Sequence, residues 1–546
     1  MSQDTSSSLL RFNRERQEII EEVVERVTRT AIQRAWKDPA QGLEYLLNEA
    51  AYQELSRLEE RGAGQRAQSE LAVWRDVAHR VARASAEENE ERLQQIVTRY
   101  GRDIAGHFRP GVFQFATRVL PSGISLIFSR QQMADVLTLQ PRFDALRQRI
   151  QIEGEIGKLR QLSQVRTLMF VPTHSSHMDS MLMGWALNEC GLPPVTYGAE
   201  KNLFSNPLTS FFMQNLGAYK VDRRRRHTIY KSVLKEYSQV LLERGFHSLF
   251  FPGGSRSRSG EIETHLKLGL LGTGLAAWSA TVRDKRPASS VVVVPVNISY
   301  SLVLEAQTLI TEYLKPPGQG RLIIDDDEFT DLRRVASYMS AVLEMEAPVT
   351  VRFGTPMDVF GNRVDLDGES MDAQGRRLDP ERYLWVNGRP EPDPERDREY
   401  TRQLGSAVLE AFRENNVIHP VHIVSFALFE HLRRQHRSWD IQRTLRFAIG
   451  DTLSVSVATG EIERCLRHVR RLADEGALRV NRQVRSMGAH DILLECMRVF
   501  QLYHTSPVAA AEAGQVRLLN LPLMYFYSNR LRGYDLERRL DSPGGY

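Results

Sequence analysis

The chain has 546 residues and a formal net charge of +4, with 26% of its residues charged. This length suffices for one large domain with helical additions or for three modest domains, and the small net charge does not favour a nucleic-acid-binding protein. The three cysteines lie far apart, which excludes a disulfide framework or a zinc-finger spacing and suits a reducing compartment. No apolar run reaches the ~18–20 residues that span a bilayer, and residues 1–11 lack the apolar core of a secretory signal.

Residues 14–108 are rich in charged side chains, and their apolar residues recur at helical spacing. Ile19, Ile20, Val23 and Val27 fall on one face of a helix in this pattern. We therefore predict an N-terminal helical region over residues 1–110. It is expected to be a bundle or hairpin that packs against the rest of the protein, rather than a coiled coil that binds a partner.

Two more apolar segments follow, one at residues 111–130 and one around Leu208 and Phe211–Met213. Each pattern fits either a buried core or a segment that enters a membrane interface. The sequence alone leaves both interpretations open.

A buried strand is predicted at Thr167–Val171, and the run that follows it carries candidate functional residues. His174 can take a proton near neutral pH, while Asp179 can orient the ring and stabilise the imidazolium. No serine or cysteine in a recognisable nucleophile setting stands beside this pair, so the pattern indicates that a substrate hydroxyl is the nucleophile. The alternative is a metal site of His174, His177 and Asp179, but no further His/Cys cluster is placed to complete its coordination.

A second group of candidate residues follows the apolar strand Ser248–Phe251. Pro252–Gly254 ends that strand, and glycines allow backbone amides to approach an anion closely. Arg256 and Arg258 can then hold a phosphate through bidentate hydrogen bonds. An ordinary basic surface turn is the less favoured alternative, because glycine, serine and arginine cluster directly after a strand.

Two further strands complete the pattern. Gly217–Arg223 is a short strand-like piece that leads into a basic run through Arg226. Val291–Ile298 is an apolar strand typical of buried parallel sheets. No internal repeat is evident in the sequence.

These four segments resemble, in order and at plausible spacings, the four motifs of the glycerolipid acyltransferase superfamily. The form His-x-Ser-His-Met-Asp is close to the version in the membrane-associated bacterial glycerol-3-phosphate acyltransferases. Phe353–Pro356 resembles the Phe-Gly-x-Pro that closes their catalytic domain, so the resemblance covers about residues 160–360. The matching positions are His174, Asp179, Val221, Arg223, Phe251, Gly254, Arg256, Ser257, Arg258, Lys267, Gly269 and Pro295.

The resemblance implies an α/β catalytic domain over residues 111–360, with a mixed, largely parallel sheet flanked by helices. It implies that His174 and Asp179 are catalytic and that the substrate-binding residues are Arg223, Gly254, Arg256, Ser257, Arg258, Lys267 and Pro295.

The mechanism implied by this resemblance needs no bound cofactor or metal, because the acyl donor is already a thioester. The arginines and Lys267 hold the phosphate of glycerol 3-phosphate, while His174 deprotonates its sn-1 hydroxyl. That oxygen attacks the thioester of acyl-CoA or acyl carrier protein and gives lysophosphatidate. Backbone amides at the start of the helix after His174 are the predicted oxyanion hole.

The lipid product implies a peripheral membrane protein on the cytoplasmic side of the inner membrane. Its predicted partners are then anionic lipids of that surface, contacted through the basic run Arg223–Arg226 or through the apolar segments, and no nucleic acid is expected.

Two positions depart from the pattern of the glycerol-3-phosphate enzymes. Asp222, before Arg223 in the second motif, is more like the lysophosphatidate acyltransferases, and the departure in the third motif matters more. The third motif usually carries a glutamate before its glycine, and this chain has Gly253 there. One alternative is therefore that the acceptor is dihydroxyacetone phosphate or a lysophospholipid. The other alternative is a catalytically silent lipid-binding relative. The chain retains every group that catalysis needs, which argues against this alternative: His174, Asp179 and both third-motif arginines.

The rest of the chain is predicted to form a polar insertion and proline-rich linker at 361–398 and a C-terminal helical region at 399–546. Asn416–Val424 and Leu523–Asn529 are similar to C-terminal segments of the bacterial glycerol-3-phosphate acyltransferases. This similarity favours that branch over the shorter lysophosphatidate enzymes.

Overall fold

The structure is a computed structural model that describes residues 5–38, 42–60, 65–112, 149–201, 214–285, 290–316, 337–338, 341, 345, 348–386 and 388–541. The apolar segments at 111–130 and around Leu208 and Phe211–Met213 lie outside these ranges, apart from residues 111–112. Their two interpretations stay predictions. Within the described ranges, no helix has both the length and the apolar character required to cross a membrane.

The described N-terminal residues form four α-helices: α1 (Thr5–Lys37), α2 (Leu43–Glu59), α3 (Gln65–Arg80) and α4 (Ala86–Ile104). Ile19, Ile20 and Val23 are fully buried, as their helical spacing predicted. They share a hydrophobic core with α7 (Thr228–Glu243) of the catalytic domain. Across this contact, Arg26 of α1 lies 2.8 Å from Glu243. The N-terminal region is therefore helical and packs against the catalytic domain.

A seven-stranded sheet forms the centre of the catalytic domain, in the order β1-β7-β6-β2-β5-β3-β4. Neighbouring strands run parallel, except that β6 and β7 are antiparallel. The expected α/β class with a mixed, largely parallel sheet is confirmed. The strands are β1 (Ile150–Gly154), β2 (Thr167–Pro172), β3 (Thr196–Glu200), β4 (Ala218–Val221), β5 (Ser248–Leu249), β6 (Val291–Tyr300) and β7 (Val349–Phe353).

The two faces of this sheet carry separate apolar cores. In β2, Leu168 and Phe170 contribute to one core while Met169 and Val171 contribute to the other, because successive strand side chains point to opposite faces. Every residue of β2 and β6 is buried, as expected of strands covered on both sides. The covering helices of the domain are α5 (Ile156–Val165), α6 (Asp179–Glu189), α7, α8 (Leu268–Arg283) and α9 (Ala306–Leu314).

The predicted motifs gather at one edge of the sheet. The parallel strands β2, β4 and β5 end at Pro172, Val221 and Leu249, and a motif loop follows each of them. Carboxyl ends of parallel strands meet at the same edge, where α/β proteins place their ligand sites.

The insertion after β7 has a regular structure. Asp358, Asp365 and Asp372 each accept backbone N–H groups two and four residues ahead, in three consecutive seven-residue turns. The glycine three residues after each aspartate has a positive φ, which glycine adopts without strain. The expectation of no internal repeat was therefore wrong for this short Asp-x-x-Gly pattern. The insertion also contains the strand pairs β8 (Arg363–Val364) with β9 (Ser370–Met371) and β10 (Trp385–Val386) with β11 (Arg389–Pro390).

The C-terminal region is mainly helical, as predicted, but it begins earlier. The helix α10 starts at Pro394, inside the predicted linker, because Asp393 caps it by accepting the N–H groups of Glu395 and Arg396. The remaining helices are α11 (Pro420–Gln435), α12 (Ile441–Phe447), α13 (Val455–Asp474), α14 (Arg482–Ser486), α15 (Ala489–Val499), α16 (Leu521–Ser528) and α17 (Leu536–Asp541). Short strands between them, which were not predicted, are β12 (Val417–Ile418), β13 (Thr452–Ser454), β14 (Arg479–Val480), β15 (Ala509–Glu512) and β16 (Gln515–Leu518).

Candidate active site

His174 and Asp179 lie in direct contact between β2 and α6. Nδ1 of His174 is 2.9 Å from Oδ2 of Asp179. The same oxygen accepts the backbone N–H groups of Ser175 at 2.7 Å and Ser176 at 2.9 Å, and the hydroxyl of Tyr300 donates to Oδ1. A carboxylate held by this many donors presents one fixed oxygen to the imidazole.

This contact fixes which nitrogen of His174 can act as a base. With Nδ1–H donating to Asp179, the lone pair available for a proton is on Nε2. Burial lowers the pKa of His174 below its ordinary value, and the hydrogen bond to Asp179 opposes that shift. The imidazole is therefore neutral, and able to accept a proton, at neutral pH.

The main chain and ring of His174 are also held in place. Its carbonyl accepts the N–H of Ser257 at 2.8 Å, and its ring stacks on Phe251 with centroids 4.2 Å apart. Its own N–H donates to Oε1 of Glu263 at 2.6 Å. Glu263 was not predicted from the sequence, because its contact with His174 spans 89 residues.

Another carboxylate, that of Glu305, holds the turn between His174 and Asp179. It accepts the Ser176 hydroxyl at 2.8 Å and the His177 N–H at 3.1 Å, and it lies 3.4 Å from the guanidinium of Arg256. Glu305 is completely buried. The sequence offered no signal for it, because it follows β6 outside the four motifs.

These contacts contradict the predicted oxyanion hole for the backbone amides of residues 175–178. The N–H groups of Ser175 and Ser176 donate to Asp179, that of His177 donates to Glu305, and that of Met178 donates to the Ser176 hydroxyl. The turn binds its own carboxylates at the start of α6, so these amides do not point to a substrate oxygen.

A cavity of about 370 Å³ opens beside His174. Seven of the residues that match the family motifs line it: His174, Val221, Arg223, Phe251, Gly254, Lys267 and Gly269. Much of the remaining wall is apolar, including Ala199, Leu234, Phe250 and Leu270. The cavity thus combines a base, cations and an apolar surface.

Gly254 is required by the close approach of Lys267. It has φ of +76°, and a Cβ placed on it would lie 2.5 Å from Cδ of Lys267. Lys267 therefore lies across the glycine and into the cavity wall. Burial, together with the charges of Arg223 and Arg226, lowers the pKa of Lys267.

Two lysines that the sequence analysis missed extend this basic surface. Lys231 and Lys235, one turn apart on α7, line the same cavity as Arg223 and Lys267. Glu200 is the acidic lining residue and lies 3.2 Å from Arg223. The available signal was a Lys-x-x-x-Lys spacing on the helix that follows the second motif, which puts both side chains on one face.

Other predicted site residues do not line the cavity. Arg256 is paired with Glu305, and Arg258 is half-buried outside the described lining. Ser257 donates its hydroxyl to the Glu261 carbonyl, and Pro295 lies inside β6, where its carbonyl accepts the Gly354 N–H. Ser257 and Pro295 therefore shape the walls around His174.

The basic run after β4 contains both buried and exposed arginines. Arg225 is buried and lies 3.5 Å from both Glu54 and Asp103 of the N-terminal helices, with its guanidinium over the Tyr100 ring. The prediction that the whole run meets lipid headgroups was wrong for Arg225, because it is held between the N-terminal helices and the second motif. Arg226 is exposed.

The alternative metal site is not supported by the geometry. Both oxygens of Asp179 and Nδ1 of His174 are occupied by hydrogen bonds. In the described part of the chain, no group of three or more His, Cys, Asp or Glu side chains is arranged to hold a metal ion.

Comparisons with known proteins agree with the motifs. Residues 155–299 match the family model described as Acyltransferase. A glycerol-3-phosphate acyltransferase of Pseudomonas syringae is 25% identical over 390 residues, covering 70% of this chain and 41% of the relative. One from Pseudomonas aeruginosa (strain LESB58) is 27% identical over 351 residues, covering 63% of this chain and 36% of the relative. The chain thus aligns with about two fifths of these relatives' length.

A solved structure, the 1-acyl-sn-glycerophosphate (LPA) acyltransferase from Thermotoga maritima, was also matched. The match has a TM-score of 0.25 and 16% identity, and covers 55% of this chain and 92% of the other.

The family match places an acyltransferase domain at residues 155–299, a range that contains the segment from the His174 run to Pro295. The curated relatives that the chain resembles are named glycerol-3-phosphate acyltransferases, which are glycerolipid enzymes. The resemblance of the four motifs to that family is confirmed.

Proposed function

We propose that this protein transfers a fatty acyl group from an acyl thioester to the sn-1 hydroxyl of glycerol 3-phosphate, giving lysophosphatidate. The observation that carries the proposal is that His174, hydrogen-bonded to the buried Asp179, lines a cavity that four cations also line. The names of the curated relatives support the choice of acceptor.

In the proposed reaction, Nε2 of His174 takes the proton of the acceptor hydroxyl as its oxygen attacks the thioester carbonyl. A C–O bond forms, the C–S bond breaks, and the departing thiolate takes the proton back from the imidazolium. Asp179 keeps the ring in the required tautomer and stabilises its charged form. The donor is acyl-CoA or acyl carrier protein, and no step requires a metal or a bound cofactor.

The acceptor phosphate is proposed to bind the cations beside the base. Arg223 and Lys267 line the cavity together with His174, and Arg256 is close enough to His174 to lower the pKa of its imidazole. Arg258, Gly254, Ser257 and Pro295 complete the proposed binding set, the last three by shaping the backbone around the cavity.

The test is an assay of the purified chain with labelled acyl-CoA or acyl carrier protein and one acceptor at a time. The acceptors are glycerol 3-phosphate, dihydroxyacetone phosphate and lysophosphatidate. We expect label in lysophosphatidate when glycerol 3-phosphate is supplied. Label with lysophosphatidate alone would assign the other acceptor class, and no transfer to any acceptor would favour the silent lipid-binding alternative.

Lys231 and Lys235 are predicted to bind an anionic part of a substrate without taking part in the chemistry. Changing both to glutamine should raise KM for one substrate by at least about tenfold, since one charge-assisted phosphate contact is worth about 1.4 kcal/mol or more. We expect kcat to change little, and steady-state kinetics with each substrate varied will identify which one is bound. The matched control is Lys37→Gln, at the end of α1 and away from the cavity. Unchanged KM for both substrates would show that these lysines have no binding role.

We also propose that the protein attaches peripherally to the cytoplasmic side of the inner membrane, where its lipid product is used. Arg226 is exposed and suited to anionic headgroups. Arg226→Gln should weaken binding to phosphatidylglycerol-containing vesicles by about fivefold, because one basic residue near such a surface contributes about 1 kcal/mol. Flotation with purely zwitterionic vesicles is the control, and equal binding to both vesicle types would contradict an electrostatic attachment.

A further inference from the structure

We infer that Glu263 is a positioning residue for the base, a role that rests on the proposed acyl transfer. Glu263 belongs to the loop between β5 and α8, and its Oε1 accepts the backbone N–H of His174 at 2.6 Å. The loop turns back so that the N–H of Lys267 reaches the carbonyl of Pro252 at 2.7 Å. This return brings Glu263 next to the strand end that carries the base.

The position of Glu263 depends on the absence of a side chain at residue 253. A Cβ placed on Gly253 would lie 3.0 Å from Cγ and 3.4 Å from Oε1 of Glu263. The φ angle of Gly253 is not positive, so its backbone conformation does not itself require glycine. What glycine provides here is space, and the side chain of Glu263 occupies it.

Glu263 completes a set of contacts that holds both the main chain and the ring of His174 in place. The loop holds both backbone groups of His174, through Glu263 and through the Ser257 N–H at 2.8 Å. Asp179 holds the ring at Nδ1, and Phe251 stacks on its face. Without Glu263 the N–H of His174 loses its acceptor, and the imidazole can shift relative to the substrate hydroxyl. A displacement of about 1 Å at a base can cost about 10²-fold in rate.

The charge of Glu263 also depends on pH in the range where the enzyme would work. Burial raises its pKa to about 7, against the opposing effects of the His174 N–H and of Arg530. Three groups face it from other elements: His174 after β2, Asp179 at the start of α6, and the buried Arg530 after α16. Glu261, His265 and Lys267 are the titratable groups nearest in sequence on its own loop.

The ionisation of Glu263 determines whether kcat/KM rises or falls with pH. Below pH 7 Glu263 is mostly neutral, and above pH 7 it is mostly a carboxylate. As a carboxylate it binds the His174 N–H more strongly and stabilises the imidazolium that forms during transfer. Ionisation of Glu263 should therefore increase kcat/KM as pH rises through 7.

The first experiment compares Glu263→Gln and Glu263→Ala with the wild type from pH 5.5 to 8.5. Glutamine keeps an acceptor for the His174 N–H but has no charge. We expect it to be within about twofold of wild-type kcat/KM at pH 6 and about tenfold lower at pH 8, which corresponds to one pKa unit of differential stabilisation. Alanine should lower kcat/KM by about 10²-fold at both pH values. Glu261→Gln, on the same loop but 3.7 Å from Arg532, is the matched control.

The second experiment is a rescue. Gly253→Glu alone should impair transfer, because two carboxylates would compete for one space. Combined with Glu263→Ala, it should raise kcat/KM about tenfold above that of Glu263→Ala alone, since a carboxylate returns beside the His174 N–H. Thermal melting of each variant separates these effects from misfolding. If the Glu263 variants keep the wild-type rate and pH profile, or if Gly253→Glu is harmless and does not rescue, the inference is overturned.

A readout that needs no acyl transfer separates this inference from the proposed function. Carbethoxylation of His174 by diethyl pyrocarbonate, followed by mass spectrometry across pH, reports the pKa of its imidazole. Glu263→Gln should lower that pKa, because the variant removes a nearby negative charge. An unshifted pKa would overturn the positioning role even in an active enzyme. A shifted pKa in a chain without transfer activity would leave the role standing and refute the reaction.

Discussion

Replacing His174 with asparagine is expected to lower kcat for acyl transfer by about 10³-fold, the range over which a positioned general base acts. Asparagine can still donate to Asp179, so the turn between β2 and α6 should keep its hydrogen bonds. It has no basic nitrogen, however, and the acceptor hydroxyl would have to lose its proton to water. KM for the acceptor should change little, because its phosphate is proposed to bind the cations of the cavity rather than His174.

The pH dependence of the wild type provides a second readout of the same base. Burial lowers the pKa of His174, so the imidazole is in its basic form at neutral pH. Its protonation should therefore add a fall in kcat/KM below the ordinary pKa of histidine, at lower pH than the change near pH 7 expected from Glu263. The asparagine variant should lack this inflection. His265→Asn is the control, since His265 is exposed on the nearby loop and contacts Thr264. A variant that retains wild-type kcat and the inflection would rule out His174 as the base.

The parts of the site that the sequence predicted are those set by local geometry. His174 and Asp179 are five residues apart, and a strand followed directly by a helix brings such residues together. The apolar runs predicted β2 and β6 correctly, because strands buried on both faces contain few polar residues. Parallel pairing then places the ends of β2, β4 and β5 at one edge.

The rest of the site depends on contacts between residues distant in sequence. Glu263 and Glu305 reach the His174 run across 89 and 129 residues, and neither has a motif around it that marks it as functional. The pairing of Arg256 with the buried Glu305 could not be inferred from the residues next to Arg256 in sequence. Arg225 was assigned to the surface for the same reason.

The C-terminal region also contributes to the candidate active site, through contacts that local sequence patterns could not reveal. Asn529 donates to the carbonyl of Ser259 at 2.8 Å, which ties the end of α16 to the third-motif loop. Gly260 has φ of +84°, and a Cβ there would lie 2.1 Å from the Phe526 carbonyl oxygen. Arg530, the next residue along the chain, is a cation that opposes the rise in the pKa of Glu263 caused by burial. The segment Leu523–Asn529, noted only for its resemblance, thus packs directly behind the candidate active site.

Glu305→Gln is expected to destabilise the protein by about 3 kcal/mol, because loss of one partner leaves a buried charge uncompensated. The buried carboxylate of Glu305 holds the Ser176 hydroxyl, the His177 N–H and the guanidinium of Arg256, which is only 10% exposed. Glutamine has a similar shape and one acceptor oxygen, so the loss should come mainly from the charge. Calorimetry should show a lower melting temperature. Glu399→Gln, which breaks the exposed Arg402 pair, should leave that temperature unchanged.

Adding Arg256→Met to Glu305→Gln separates stability from function. Removing both charges eliminates the uncompensated ion, so the double variant should melt above the temperature expected from adding the two single losses. Acyl transfer should nevertheless remain low, because Arg256 is proposed to bind the acceptor phosphate and lies close enough to His174 to affect its pKa. Strictly additive losses would show that the two charges do not stabilise each other. Recovery of transfer together with stability would show that Arg256 acts only by holding the turn between β2 and α6 in place.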